Sequence, residues 1–552
     1  MGWRPEASLS GGTPWVYAGL AVGGFELRDP LAPARLPAPG IAEAQVPLAW
    51  YDSATVVVGE GAAERGFGAG LAVASGWMRP PDGGNPRAVF TGISGAHGLD
   101  RNGVLITRGD PDNWMRIGAI GGKRGAIGTL NKAGEHLWCV SAGRRRGAQG
   151  IDVSFVQRGM GEAQTVGAGE SGRGQAGTAG WAWGRNGDSL GVRFARGFDS
   201  RAYFLVGADA GAGSPFSSRR SSSERTLDVL AHRQRGDTGY GLHIERSVSV
   251  VTQGSSFGDG SYALARWSTQ TLWLAATHTR PLRAGILALS LGLGRDPTMA
   301  RAADRNVVAP AVTWHLDQGS QRVRVFFERV VDPVWSDLDR DFAPFLQHTW
   351  TGGFGADAGI GAPASASLNL LAGRTANRAT MFRNPIRAEE LGVGLRADGH
   401  RYNFLALQPA VSARWRRLVL DASGFALANG HSSDQPRVDP ALGGQAGAGG
   451  GFSLFTGDLG VKLRAQAAYI GARESDTRVL DRNGLSTDAT LPGYATFSAT
   501  ATMTFGDATI VIRGDGLEGR RHALTWFDYV HEGIALDGGR QLRAEVVWPL
   551  FN

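Results

Sequence analysis

The stretch ATFSATATMTFGD, Ala495 to Asp507, decides the fold. Ala495, Phe497, Ala499, Ala501, Met503 and Phe505 are apolar, and Thr496, Ser498, Thr500, Thr502 and Thr504 stand between them. Successive side chains of a β-strand point to opposite faces, so this alternation builds one apolar and one polar face. What the apolar face meets, protein or lipid, is the question that sets the class of the molecule.

The pattern recurs along the chain. Leu459, Val461, Leu463, Ala465, Ala467 and Tyr469 interleave with Lys462, Arg464 and Gln466, and Leu542, Ala544, Val546, Trp548 and Leu550 with Gln541, Arg543 and Glu545. Val323, Val325 and Phe327 alternate with Arg322, Arg324 and Glu328, and Tyr402, Phe404 and Ala406 with Arg401 and Asn403. No capped segment of period 3.6 stands out after residue 76, so the chain reads as almost all β. Tight turns are expected at Asn186-Gly187, Arg235-Gly236-Asp237, Asp317-Gln318-Gly319, Asp398-Gly399 and Gly506-Asp507. Long polar connections are expected at Gly213 to Glu224, Asp332 to Phe345, Asn429 to Pro440 and Gly471 to Gly484. Tight turns at one end and long loops at the other describe an up-and-down meander of antiparallel hairpins, the layout of a transmembrane barrel.

Strands of a soluble sandwich run about 5–6 residues. The alternation here lasts about the 9–11 residues that cross a bilayer at a tilt. Its polar face carries Arg, Lys, Gln and Thr, which suits a wet lumen. Trp181, Trp183, Trp273, Trp415, Tyr469 and Trp548 fall near expected strand ends and are assigned to membrane-interface girdles. The apolar face is therefore read as lipid-facing. Lipid demands a closed barrel, because no backbone hydrogen bond can stay open in hydrocarbon. Residues 76–552, shared among 22 strands, leave about 22 residues for each strand and its connection, and barrels of that size are the plugged outer-membrane transporters. The expected architecture is an all-β, up-and-down antiparallel barrel of about 22 strands over residues 76–552, preceded by a plug-like segment at 1–75.

Bulk properties agree. The 552 residues include 83 Gly, are 42% hydrophobic and only 19% charged, and no apolar run approaches the length of a membrane-spanning helix. The single Cys139 excludes an intrachain disulfide and a cysteine metal cluster. The net charge of +7 is spread widely rather than gathered in a stripe, which argues against nucleic-acid binding. The start, MGWRPEASLSGG, has no basic-then-apolar leader pattern.

Both ends of the sequence resemble TonB-dependent outer-membrane receptors. In the first 75 residues Arg28-Asp29-Pro30 matches part of the plug's Asn-Asp-Pro segment. Thr55 to Gly59, including Val57, resembles a later plug strand, and Gly66, Gly68 and Gly70 its glycine-rich turn. Near the C-terminus LPGYATFSATATMTFGD carries the Pro-Gly-Tyr that commonly precedes the third-last strand. Ala18 and Val58 depart from the plug pattern, and Phe551 is neither last nor in phase with Leu550 and Trp548. The resemblance implies an outer-membrane receptor that captures a scarce nutrient of the siderophore-iron, cobalamin or glycan class, with no cofactor and no catalytic set. Its implied partners are outer-membrane lipid and lipopolysaccharide, the small ligand, and the TonB complex through a box upstream of this chain. A monomer is expected. Signal peptide, TonB box and first plug half are absent from the sequence, which suggests a fragment or a late-started reading of the gene. A passive porin-like channel is the alternative.

Asp337, Asp339 and Asp341 have the spacing of the first ligands of a calcium loop, but Phe342 and His348 stand where an EF-hand needs Gly and Glu. They read as a solvated outer loop, with Trp335 and the three carboxylates as candidate ligand or cation contacts. Arg144-Arg145-Arg146 and Arg414-Trp415-Arg416-Arg417 are the sharpest basic runs and suit anionic headgroups or solvated turns. The histidines show no zinc spacing, and no nucleophile elbow or Walker loop occurs. GFGADAGIG, Gly353 to Gly361, reads as a lumen-facing glycine-rich strand.

Overall fold

In the computed structural model, the described part of residues 1–86 is four strands: Leu20–Val22, Phe25–Leu27, Ser53–Val58 and Ala72–Trp77. From residue 87 onward all is described except 96–99, 111, 125–128, 132, 166–167, 206–215, 258–261, 300–301, 336–343, 360–362, 377–378, 384–392, 398–400, 431–440, 481–485, 520–522, 525–534, 537–539 and 551–552.

The first barrel strand is Arg87–Gly95 and the last is Gln541–Leu550. Successive barrel strands pair antiparallel all the way round, and the two end strands pair with each other from Arg543 opposite Gly95 to Leu550 opposite Ala88. Three connections carry separate hairpins, Ala379–Arg383 with Val393–Ala397, Arg473–Leu480 with Ser486–Leu491, and Ala523–Leu524 with Ala535–Leu536, so much of the Gly471 to Gly484 stretch expected as loop is strand. The short Thr129–Asn131 continues the position of Ala133–Arg146, since both pair with Gln149–Thr165. The result is a closed barrel of 22 strands. The N-terminal strands form a separate four-stranded sheet that reaches Trp77, so the boundary expected at residue 75 falls inside its Ala72–Trp77 strand.

Turn chemistry sets the register at one end. Asn186 and Gly187 both take positive φ, 53° and 85°, the pair of left-handed residues that a two-residue hairpin needs to follow strand twist. Gly236, Gly319 and Gly506 take the same region at their turns. From these turns the strands rise unequally. Phe216–Arg235 and Thr238–Phe257 each have 20 residues and Tyr262–Leu282 has 21. That is about twice what a bilayer needs, so these strands continue beyond it as a free-standing wall. The segment Gly213 to Glu224, expected as a loop, is strand from Phe216. Its Ser- and Arg-rich sequence lacks apolar alternation because there is no lipid to face there, yet its backbone pairs fully on both sides.

The opening stretch forms Tyr494–Phe505, with Phe497 and Phe505 exposed on the outer surface. Phe497 pairs with Ala467 and Met503 with Val461, so the apolar face continues onto the next strand. Leu463, Leu542 and Trp548 are likewise exposed and outward. Inward positions are polar or small, among them Lys462, Arg464, Thr500 and Thr502. In the glycine-rich strand Pro344–Gly359, Phe354 faces out while Gly353 and Gly355 face in, as read from the sequence.

Two expected faces are reversed. In Arg401–Trp415 the outward set is Leu405, Leu407 and Val411, whereas Phe404 and Ala406 are buried on the inner wall with Phe326, Leu371 and Leu427. The Phe404 ring lies over Gly373 of the adjacent strand, where an added Cβ would come within 2.4 Å of it. Trp273, assigned to the girdle, is 2% exposed and faces the interior over Gly292, while Leu272 and Leu274 take the outer face. In LWLAA both phases are apolar, so alternation alone could not choose between them.

Outward and inward positions differ sharply in what they tolerate. Leu463→Arg places a charge on the lipid face one residue from the native Lys462 and Arg464. It is expected to cost about 2–4 kcal/mol in urea unfolding from bilayers. Thr502→Arg, on the inner face of the paired strand, is expected to change stability by less than about 1 kcal/mol.

Candidate functional site

The inner wall brings together polar groups that lie far apart in sequence. Along one hydrogen-bonded row, Asp152, Gly180, Arg193, Asp228, Glu245 and Trp273 stand side by side on six successive strands. Arg193 Nη2 lies 4.0 Å from Asp152 Oδ1 across the intervening Gly180. A Cβ at that glycine would sit 2.8 Å from the same oxygen, so only glycine lets the two charges approach. His243 Nε2 is 3.4 Å from Asp228 Oδ1, and Glu245 is buried beside them.

Asp228, His243 and Glu245 each offer a ligand atom within 4.8 Å of the others. One imidazole and two carboxylates suit a divalent transition metal. Arg193, next to Asp228 in the row, already supplies positive charge there, so the set reads as an internally compensated ladder of charges. The histidines carry no spacing signal because the residues meet through strand register.

The same device recurs across the lumen. Arg464 Nη2 donates to Asp421 Oδ2 at 2.7 Å, and Gly447 leaves the space between them. Arg324 Nη2 donates to Asn369 Oδ1 at 3.1 Å beside Gly355, and Gln466 Nε2 donates to Gln445 Oε1 at 2.7 Å. Toward the tight-turn end Arg322, Asp357, Ser367, Ser412 and Asp421, with Ala366 and Ala410 between them, line an open cavity of about 630 Å³ of mixed polarity. These groups can hold and guide a polar solute.

At the opposite end, residues 296–299 and 302–305 fold back onto the wall. Met299 is fully buried in a cluster with Trp273, Val307 and Ala309. Asp296, with no exposed surface, ties the segment down: its Oδ1 accepts the N–H of Thr298 at 2.9 Å and of Gln270 at 3.4 Å, and the Thr298 hydroxyl also donates to it. Burial pushes the Asp296 carboxyl above its ordinary range, and the bonds from Thr298 and Gln270 offset part of that rise. Nearby, Arg329 Nη2 donates to His348 Nδ1 at 3.1 Å, and His348 Nε2 is 3.4 Å from Asp304 Oδ1. A guanidinium only donates, so Nδ1 accepts and a neutral His348 carries its proton on Nε2, toward Asp304.

Several expected site residues, Asp29, Pro30, Gly59, Gly66, Gly68, Gly70, Asp337, Asp339 and Asp341, lie outside the described residues. Val57 pairs with Val73 in the N-terminal sheet, and Trp335 ends Gln321–Trp335 opposite Pro344. Trp181 and Trp183 share the outward face with Ile151, near the turn at Asn186-Gly187. Trp415 is exposed beside the turn at Arg416, Trp548 is exposed near the end of the last strand, and Tyr469 is exposed near the long-loop end of Leu459–Ile470.

No family profile matches the chain, and no characterised protein matches it by sequence. Solved structures do. The copper transporter OprC superposes with a TM-score of 0.76 at 13% identity, covering 97% of this chain and 90% of its own. The unliganded ferric citrate transporter FecA gives 0.71 at 11% identity, over 98% and 89%. The ferric yersiniabactin uptake receptor FyuA from Yersinia pestis gives 0.70 at 10%, over 91% and 85%. The chain has the barrel fold of TonB-dependent receptors. A closed 22-strand barrel with an apolar outer face belongs in the bacterial outer membrane.

Asp296 is expected to make the anchoring of residues 296–299 depend on pH. Its folded carboxyl has a raised pKa, so its contribution is full below the ordinary value of 3.8 and is lost as pH rises through the folded value. Hydrogen-exchange protection of the Thr298 and Met299 amides, corrected for intrinsic rates, is expected to fall over that rise. Asp296→Asn keeps the oxygen acceptor and should flatten the pH dependence. Asp296→Ala leaves two N–H donors without it and should lower local stability by about 1–3 kcal/mol.

Proposed function

We propose that this chain is the barrel and part of the plug of a receptor that takes up a scarce nutrient across the outer membrane. The observation that carries this reading is a 22-strand closure accompanied by a separate N-terminal sheet. A barrel of that size encloses a lumen wider than its own wall side chains fill, and a second folded element supplies the material to obstruct it. The superposed transporters, whose names specify copper, ferric citrate and ferric yersiniabactin, support a metal or metal-chelate cargo within the broader class of siderophore-iron, cobalamin or glycan. Energy coupling would come from TonB acting on a segment upstream of the plug.

In this reading the ligand is caught by the long loops, with Trp335, Asp337, Asp339 and Asp341 among the candidate contacts, and by the outer tips of the plug. Asp29, Pro30, Val57, Gly59, Gly66, Gly68 and Gly70 are the residues by which the plug is recognised in this reading. Trp181, Trp183, Trp415, Tyr469 and Trp548 anchor the barrel at the two membrane interfaces, and the protein works as a monomer. Transport makes and breaks no covalent bond, so no enzyme activity is assigned.

A passive channel is the second reading, favoured by the open cavity beside Arg322, Asp357 and Asp421 at the tight-turn end. Planar-bilayer recording separates the two. A plugged receptor is expected to be almost silent, and to open when the segment before Arg87 is deleted. Steady open-channel current from the full chain would overturn the receptor reading.

A further inference from the structure

The outer surface at the tight-turn end carries a feature that nutrient uptake does not use. On Ala133–Arg146 the outward face runs through Trp138 and Val140 to Arg144 and Arg146. On Ala168–Arg185 it runs through Trp181 and Trp183 to Arg185. On Phe216–Arg235 it runs through Leu227 to Arg233 and Arg235, and on Tyr262–Leu282 through Leu272 and Leu274 to Arg280. All six arginines are exposed.

These arginines are interleaved with aromatic side chains. Arg144 stands in register with Ile151 and Trp181, and Arg146 with Gln149 and Trp183. Arg233 stands in register with Tyr240 and His278, whose rings are 5.1 Å apart. Among the described residues none of the six is held in an ion pair. The turns in this arc carry the acidic Asp188 and Asp237, against the six arginines and the further exposed Arg145 and Arg283. At the same end the turn beside Arg144 carries the exposed Asp110 and Asp112, and turns elsewhere carry Asp317, Asp458 and Asp507, of which Asp317 pairs with Arg322 at 3.5 Å. The basic surface is thus densest over residues 144–283, with the outward Arg108 beside it and a second exposed group, Arg416 and Arg417, at the turn after Trp415.

We infer that this arc binds anionic phospholipid headgroups of the leaflet at the tight-turn end. The chemistry fits on three counts. The arginines point toward lipid, where their stems can lie on apolar surface while the guanidinium reaches the headgroup plane. A planar guanidinium meets a phosphate through two parallel N–H donors. Trp and Tyr just inside the arginines fix the depth at which the headgroups sit. An arginine close to an anionic surface strengthens association by about fivefold. Outer-membrane barrels place their short turns in the periplasm, so this is the periplasmic leaflet. Lipopolysaccharide would instead meet Arg196, Arg225 and Arg246, exposed nearer the long loops on Asp188–Leu205, Phe216–Arg235 and Thr238–Phe257.

The test is lipid retention by the detergent-purified full chain, read by native mass spectrometry with phosphatidylglycerol and phosphatidylcholine in competition. The wild-type chain is expected to prefer phosphatidylglycerol by about tenfold or more, and raised salt should weaken that preference. The sixfold variant R144Q/R146Q/R185Q/R233Q/R235Q/R280Q is expected to lose it. The matching sixfold lysine variant should keep most of it, and R196Q/R225Q/R246Q should keep all of it. Equal retention of the two lipids by the wild type overturns the inference, as does an unchanged preference in the sixfold glutamine variant. Loss of preference in R196Q/R225Q/R246Q alone would move the site to the other leaflet and overturn it as well. The readout is independent of transport, so an open channel in bilayers would leave it standing.

Discussion

The ladder between Arg87–Gly95 and Gln541–Leu550 joins the first and last strands of the barrel, and everything else depends on it. In hydrocarbon an unpaired N–H or C=O costs several kcal/mol, and an open sheet edge would expose a whole row of them. Closure removes the edge. Once closed, the wall fixes which side chains meet lipid and which meet the lumen, because a strand cannot turn over without breaking both of its ladders. The outward leucines, the inward ion pairs and the placement of the loops are consequences of that single ring of backbone bonds.

Inside the ring, glycine organises contact between strands. Asp152 and Arg193 meet across Gly180, Asp421 and Arg464 across Gly447, and Phe326 and Phe404 lie over Gly353 and Gly373. In each case a side chain on one strand lies flat over the backbone of the next, which a Cβ would block. The lumen wall is therefore a set of cross-strand contacts that reach one strand further than ordinary pairing allows. Charges that would be costly if isolated are compensated along the wall, and aromatic rings cover backbone that small residues leave bare.

Much of this was legible in sequence wherever one face was clearly polar. Leu463 between Lys462 and Arg464, and Phe497 between Thr496 and Ser498, have only one face fit for lipid. The strand count followed from turn spacing, since Asn186-Gly187 and its counterparts punctuate the hairpins. Errors arose where both phases were apolar, as at Trp273 and Phe404, because a one-residue shift reverses the face without changing the composition. The strand from Phe216 was missed because lipid no longer imposes a pattern above the membrane. The Asp228, His243 and Glu245 group was invisible for another reason. Its members lie on neighbouring strands, and register is decided by the whole barrel rather than by local spacing.

The two ends of the barrel obey different constraints, and that difference bears on how such a scaffold acquires function. At one end two-residue turns with positive φ fix the strands, and exposed arginines and aromatics sit at the edge of the lipid band. At the other end the strands run past the membrane, their outer faces turn polar, and long connections replace turns. Backbone pairing alone holds that wall, so its side chains are released from both lipid and core. Asp296 and Met299 show what this freedom permits: a segment beyond the last outward leucine can fold inward, bury a methionine against the lumen wall and anchor itself on one carboxylate. Specificity can change there without disturbing closure, whereas any change at the lipid band must satisfy the membrane first.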